Sequence, residues 1–151
     1  MTEEFPREAV ILMAEDNPAE QRLAERALGR GIIQCDLRMV SDGEETLDYL
    51  YRRGQYEDVS TSPRPDLLLL DLNMPKLDGR QVLEKMKQDS DLKQIPVVVL
   101  TTSKAEQDIA RSYELGCNSY MNKPVEVDTF VSVLKSLQEY WFKLVVLPPN
   151  K

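Results

Sequence analysis

Short apolar runs alternate along the chain with stretches in which apolar residues recur every three or four positions. The runs predict β-strands, and the recurring positions predict amphipathic helices. Five strands are predicted in this way, at residues 10–14, 37–40, 66–70, 96–100 and 119–121. The strand at 66–70 carries four consecutive leucines, a pattern typical of a strand that is buried on both faces of a parallel sheet.

A helix is predicted after each strand. Asn17-Pro18 indicates an N-cap followed by the first helical residue, and Leu23 and Ala24 belong to the apolar face of that helix, which ends at Gly29–Gly31. A second helix is predicted to begin at Asp42-Gly43, and three more to span residues 79–88, 105–115 and 126–143. A polar loop covers residues 54–65. Five strand–helix repeats predict an α/β fold, a single doubly wound (βα)5 domain with a central parallel five-stranded sheet.

Composition narrows the range of functions. The chain has 151 residues, enough for one domain with a sizeable core, and its formal net charge of −7 argues against a nucleic-acid partner. No apolar run is long enough to span a membrane, and residues 1–6 lack the pattern of a signal peptide, so a cytoplasmic protein without a membrane partner is expected. The two cysteines, Cys35 and Cys117, have no metal-binding spacing, and both are predicted to be buried thiols.

Histidine is absent from the chain. This excludes a Ser/His or Cys/His catalytic pair and removes the commonest ligand of transition metals. Chemistry in this protein must therefore use carboxylates, lysine, hydroxyl groups or a hard metal ion.

Polar residues stand where four of the predicted strands end. They are Glu15 and Asp16, Asp71 and Asn73, Thr101 and Thr102, and Lys123. In a doubly wound sheet these ends can lie side by side, and ligands bind outside them. Clustered carboxylates repel one another and need a cation, and oxygen ligands without His or Cys select a hard ion such as Mg²⁺ (or Mn²⁺).

Carboxylates, a divalent cation, a lysine and a hydroxyl together can handle a phosphoryl group, and one carboxylate can act as the nucleophile. Taken singly, each motif has an ordinary explanation. Glu15-Asp16 alone is typical of a solvated loop, Thr101-Thr102 of helix capping, and Lys123-Pro124 of a surface turn. Their joint position at successive strand ends favours the functional interpretation.

These motifs resemble the receiver domain of two-component response regulators over about residues 8–140. Glu15-Asp16 resembles the family's acidic pair, and the segment from Asp71 to Gly79 resembles its phosphoacceptor strand and loop. Thr101 resembles the switch hydroxyl, Tyr120 the switch aromatic, and Lys123 the phosphate-binding lysine. The resemblance implies a flavodoxin-like fold with strand order 2-1-3-4-5.

The resemblance also implies roles for these residues. Asp71 would accept a phosphoryl group from a phosphohistidine of a sensor histidine kinase. Asp16, Asp71 and the backbone carbonyl of Asn73 would bind Mg²⁺, with Glu15 acting mainly through water at a position where the family more often has Asp. Phosphate binding and switching would fall to Thr101, Thr102, Lys123 and Tyr120.

The end of the chain suggests a contact surface. The receiver domain is assigned to residues 1–143 and an apolar tail to residues 144–151, with no separate output domain. A homodimer is expected, with contacts from Tyr140, Leu144, Val146 and Leu147, although the tail could instead fold back on its own domain. The long loop, the Tyr140-Trp141 pair and the tail resemble the stand-alone response regulators of cyanobacterial phytochrome kinases, which implies a light-regulated kinase as partner.

Two other functions stay open. Haloacid-dehalogenase-like phosphatases also use an aspartate nucleophile, a lysine and Mg²⁺, but they typically place an acidic residue where this chain has Asn73. A pseudo-receiver would bind partners without phosphorylation, against which the intact set of Asp16, Asp71, Thr101 and Lys123 argues. The preferred interpretation is a phosphoacceptor that is not an enzyme.

Overall fold

A parallel β-sheet forms the centre of the protein. The computed structural model describes residues 9–29, 35–101, 119–122 and 132. The strands are β1 (Ala9–Ala14), β2 (Cys35–Val40), β3 (Leu67–Asp71), β4 (Val97–Thr101) and β5 (Ser119–Asn122). They pair in parallel in the order β2-β1-β3-β4-β5, which confirms the predicted sheet and its strand order.

Helices connect the strands within the described ranges. They are α1 (Pro18–Gly29), α2 (Gly43–Tyr51) and α3 (Gly79–Gln88), with 3₁₀ turns at Gly54–Tyr56 and Leu92–Gln94. The first of these turns forms the first three residues of the loop predicted for residues 54–65. The helices predicted at 105–115 and 126–143 lie outside the described residues, apart from residue 132, which is helical.

The helix starts follow from local capping. The Asn17 side chain accepts hydrogen bonds from the backbone N–H groups of Ala19 (2.9 Å) and Glu20 (3.2 Å), as an N-cap should. Asp42 caps α2 by accepting from the N–H of Glu45 at 2.7 Å. At α3, Asp78 and Gln81 form a reciprocal capping box. All three helix starts are thereby confirmed.

The hydrophobic core lies on both faces of the sheet. On one face, Leu68 and Leu70 pack in a cluster with residues of α2 and α3. On the other face, Leu69 packs in a second cluster with Ala24 of α1. All three leucines are fully buried, which confirms the interpretation of the leucine run.

Two burial predictions were wrong. Leu23, expected on the apolar face of α1, is 38% exposed, whereas the neighbouring Ala24 is buried and packs in the core. Cys35 is only half-buried, since it lies on the edge strand β2. Cys117 lies outside the described residues.

The boundaries of β3 differ from the prediction by one residue. Asp66 precedes the strand, where its carboxylate accepts a hydrogen bond from the N–H of Val10 at 2.8 Å. Asp71 is therefore the last residue of the strand rather than the first residue after it. Ala14 of β1 pairs with Leu70 of β3. The next residue on each side, Glu15 and Asp71, therefore lies at the same level of the sheet.

No helix in the described ranges combines the length and apolar character needed to cross a membrane.

Candidate functional site

Three carboxylates converge at the carboxyl edge of the sheet. Glu15 and Asp16 follow β1, and Asp71 ends β3, the strand beside it. Each offers a carboxylate oxygen, and these oxygens all lie within 4.8 Å of one another. The parallel register brings together residues that are more than fifty positions apart, and it unites the three acidic residues that the sequence predicts for one site.

The three acidic residues differ in burial. Glu15 is 1% exposed and Asp71 3% exposed, whereas Asp16 is exposed to solvent. One carboxylate oxygen of Glu15 accepts from the N–H of Asn17 at 3.1 Å. One oxygen of Asp71 accepts from the N–H of Asn73 at 3.0 Å. Each of these contacts joins a buried carboxylate to the backbone two residues later, and so fixes its orientation at the start of the following loop.

The loop between β3 and α3 is held close to Asp71. Leu72 is fully buried and Met74 is buried, while Asn73 between them is exposed. The N–H of Gly79 donates to the carbonyl of Leu72 at 2.9 Å, which closes the loop at its base. A Cβ atom at Gly79 would lie 2.5 Å from the carbonyl oxygen of Asp71, so this approach of loop to strand requires glycine.

The donor set fits a hard divalent cation. Two unit charges about 4 Å apart repel by roughly 1 kcal/mol in water and roughly 4 kcal/mol at an effective dielectric of 20. Three carboxylates within 4.8 Å therefore favour a bound cation that offsets their repulsion. Mg²⁺ and Mn²⁺ accept oxygen ligands of this kind and commonly retain several waters, which the exposed side of the cluster at Asp16 and Asn73 can admit.

Two more of the predicted site residues lie in the strands β4 and β5. Thr101 is the last residue of β4 and Tyr120 lies in β5, so the backbone places both in the two strands beyond β3. Thr101 pairs with Asn122, the residue before Lys123. The remaining predicted residues lie outside the described ranges: Thr102, Lys123, Tyr140, Leu144, Val146 and Leu147.

Gln21 was missed by the sequence interpretation. Its side-chain amide donates to the carbonyl oxygen of Glu15 and to the hydroxyl of Ser41, the latter at 3.3 Å. Gln21 thus bridges the ends of β1 and β2 beside the acidic cluster. Its position one turn after the Asn17 cap was the available signal, because it places residue 21 above the strand end.

Comparison with known proteins agrees with this geometry. The chain matches the response regulator receiver domain over residues 11–135. It is 43% identical over 148 residues to response regulator Rcp1 of Synechocystis sp., covering 98% of this chain and 99% of that protein.

Solved structures are similar over almost the whole chain. The phosphorylated cyanobacterial phytochrome response regulator RcpA superposes with a TM-score of 0.81 at 42% identity, covering 95% of this chain and 100% of that chain. The Mn²⁺-bound form of Rcp1 superposes with a TM-score of 0.78 at 43% identity, covering 93% of this chain and 99% of that chain.

Proposed function

Since this chain belongs to the response regulator receiver domain family, we propose that Asp71 is the residue that accepts the phosphoryl group. The observation that carries the proposal is the convergence of Glu15, Asp16 and Asp71 within 4.8 Å at the sheet edge. Among these three, Asp71 ends the central strand β3 and is followed by the glycine-closed loop. A fixed carboxylate in a cation-binding cluster is a suitable nucleophile for phosphoryl transfer.

Asp71 would react with a phosphohistidine on a partner kinase. One carboxylate oxygen attacks phosphorus, the new O–P bond forms as the donor's P–N bond breaks, and the electron pair of that bond returns to the imidazole. Asp16, Asp71 and the backbone carbonyl of Asn73 would hold the cation, and Glu15 would contact it through water. A bound Mg²⁺ (or Mn²⁺) supplies positive charge to phosphoryl oxygens.

The phosphate-binding and switch roles of Thr101, Thr102, Lys123 and Tyr120 are part of the same proposal. Support comes from the order of the strands, because residue 101 ends β4 and residue 123 directly follows β5, and these two strands are neighbours. A hydroxyl and an ammonium group at those positions would bind oxygens of the acyl phosphate. Movement of Thr101 would then let Tyr120 rearrange and change the protein surface.

The partner is proposed to be a sensor histidine kinase of the phytochrome type. This rests on similarity to RcpA, described as a cyanobacterial phytochrome response regulator, and to Rcp1. The signal would pass on by protein contacts. We also propose a homodimer that uses Tyr140, Leu144, Val146 and Leu147, with residues 144–151 as an apolar extension of the receiver domain.

Phosphotransfer from purified histidine kinases tests the assignment of Asp71. Label from a phosphorylated kinase should move to the wild-type protein with Mg²⁺ present and fail to move with EDTA. Asp71→Asn should abolish labelling, while Asp78→Asn should retain it, because asparagine also caps a helix and residue 78 lies on the same loop. Labelling of the Asp71→Asn protein would rule out this acceptor.

Three further measurements test the phosphatase alternative, the kinase partner and the homodimer. Repeated turnover of phosphomonoesters would support a phosphatase, whereas a receiver should show no more than slow loss of its own phosphoryl group. A kinase panel that includes phytochrome-type members tests the partner, and preferential transfer from those members is expected. Truncation after Gln138 should give monomers in sedimentation experiments, and an unchanged dimer would refute the tail contact.

A further inference from the structure

Lys76 has an unusual backbone conformation close to the candidate site. It lies five residues after Asp71, in the loop that leads to α3. Its φ is 68°, in the left-handed region that non-glycine residues rarely adopt. Such a conformation persists where surrounding contacts enforce it, and it is concentrated at functional loops.

The side chain of Lys76 pairs with the start of α2. Its Nζ lies 3.6 Å from Oδ2 of Asp42. The other oxygen of Asp42 accepts from the N–H of Glu45 at 2.7 Å and caps the helix. One carboxylate therefore serves two purposes, since Oδ1 fixes the helix start and Oδ2 faces the loop that follows Asp71.

A backbone contact supports the same part of the loop. Gly43 lies directly against Leu77, whose carbonyl oxygen would be 1.9 Å from a Cβ atom at residue 43. The two contacts are neighbours, because Lys76 precedes Leu77 in the loop and Asp42 precedes Gly43 at the start of α2. Together they join the loop to the first residues of α2.

The connection between β2 and α2 also contacts the other half of the acidic cluster. The N–H of Glu15 donates to the carbonyl of Val40 at 3.0 Å, and Ser41 accepts from Gln21, which also bonds the Glu15 carbonyl. Residues 40–43 therefore contact the segments that carry both groups of proposed metal ligands. A change in the Asp42 contact can alter the relative position of these segments.

We propose that Lys76 is a positioning residue of the metal site, which acts through its ion pair with Asp42 to hold the loop that carries Asn73. The inference rests on the proposed function of the acidic cluster. Lys76 is 61% exposed and Asp42 16% exposed, so this pair contributes little to global stability. Its effect lies in the position of the loop and should appear in metal affinity.

Direct electrostatics makes the opposite prediction for one of the two residues. If Lys76 and Asp42 acted only through their charges, removing the lysine charge would strengthen cation binding and removing the aspartate charge would weaken it. If they act by holding the loop, both changes weaken binding. The sign of the effect at Lys76 therefore separates a positioning residue from a nearby charge.

The experiment measures Mn²⁺ and Mg²⁺ dissociation constants by calorimetry for Lys76→Met, Asp42→Asn, the double variant and Lys76→Arg. Asparagine retains the helix cap, so Asp42→Asn removes the ion pair alone. We expect Lys76→Met and Asp42→Asn each to raise the dissociation constant by about threefold or more. The double variant should have a dissociation constant no larger than the larger of the two single-variant values. Lys76→Arg keeps the positive charge and should bind the metals with wild-type affinity. The thermal unfolding midpoints of all four variants should stay close to that of the wild type.

Tighter metal binding by Lys76→Met, or additive effects in the double variant, would overturn the inference while the metal site itself stands. Absence of Mn²⁺ and Mg²⁺ binding in the wild type would overturn both the inference and the metal part of the proposed function. Metal binding by Lys76→Arg as weak as that by Lys76→Met would show that the ion pair is not the cause of the loss in affinity.

Discussion

The backbone carbonyl of Leu77 occupies the space that a side chain on Gly43 would need. A Cβ atom at residue 43 would lie 1.9 Å from the Leu77 oxygen and 2.7 Å from its Cβ. Backbone atoms cannot rotate away, so the loop or the start of α2 must shift. Gly43→Ala should therefore lower the free energy of unfolding by about 1–3 kcal/mol or more, measured by urea denaturation.

Gly54→Ala is the matched control for this substitution. Gly54 has a φ of 60°, and a Cβ atom there would meet nothing within 4 Å. Alanine at residue 54 meets only the left-handed backbone penalty of about 1–2 kcal/mol, part of which is offset by the lower entropy of the unfolded chain. Equal losses in the two variants would contradict the steric argument.

The hydroxyl of Tyr56 ties the loop after α2 to the helix itself. It donates to Oε2 of Glu45 at 2.6 Å, and the ring centroid lies 4.9 Å from that of Tyr49. Tyr56→Phe keeps the ring contact but removes a hydrogen bond to a carboxylate, so it should cost about 1–2 kcal/mol of unfolding free energy. Tyr51→Phe, at an exposed position, should change it by less than about 0.5 kcal/mol.

Local signals predicted much of this fold. The α3 boundaries, residues 79–88, agree with the observed helix because a capping box opens it and apolar residues recur through it. The leucine run of β3 was similarly decisive. Leu23 was misplaced, because periodicity identifies an apolar stripe on a helix but not which member of the stripe reaches the core.

The site was predicted in part for a related reason. Parallel strands end at one edge, so acidic residues at the ends of β1 and β3 had to meet, as Glu15, Asp16 and Asp71 do. The position of Gln21 one turn after the Asn17 cap could be predicted, but its contacts and those of Lys76 could not. Each joins segments that only the sheet register and the helix packing bring together, and the sequence does not mark out a half-buried glutamine or an exposed lysine.

Tyr49 should make the protein sensitive to alkaline pH. Burial raises its pKa to about 12, and its hydroxyl donates to the carbonyl of Pro63 at 2.8 Å. A tyrosine in the unfolded chain has a pKa of about 10. Because the folded protein holds the proton more tightly, this stabilisation is complete below about pH 10 and is lost as the pH rises towards about 12.

Urea midpoints measured across this pH range check that sign. The wild-type midpoint should fall more steeply above about pH 10 than that of Tyr49→Phe, which has no hydroxyl to ionise. The two proteins should show parallel pH dependence below that range. Parallel curves up to about pH 12 would show that the Tyr49 hydroxyl does not couple to folding.

Asp16→Asn should have opposite effects on stability without and with metal. In the absence of cations, the substitution removes one of three carboxylates within 4.8 Å, so the variant should be more stable than the wild type, by about 1 kcal/mol for each charge pair at aqueous dielectric. With saturating Mg²⁺ the order should reverse. The wild type should gain about 2.7 kcal/mol at a hundredfold excess over its dissociation constant, and the variant much less.

Thermal unfolding with EDTA and with Mg²⁺ measures both effects. Glu84→Gln is the control, because it removes the same charge from an exposed position on α3 and should leave the Mg²⁺ response unchanged. Since Asp16 is the exposed member of the cluster, its replacement leaves the buried packing around Glu15 and Asp71 intact. If the wild type and Asp16→Asn gain equal stability from Mg²⁺, the cation binds elsewhere. If the variant is less stable than the wild type in EDTA, the Asp16 carboxylate makes a favourable contact that outweighs the repulsion.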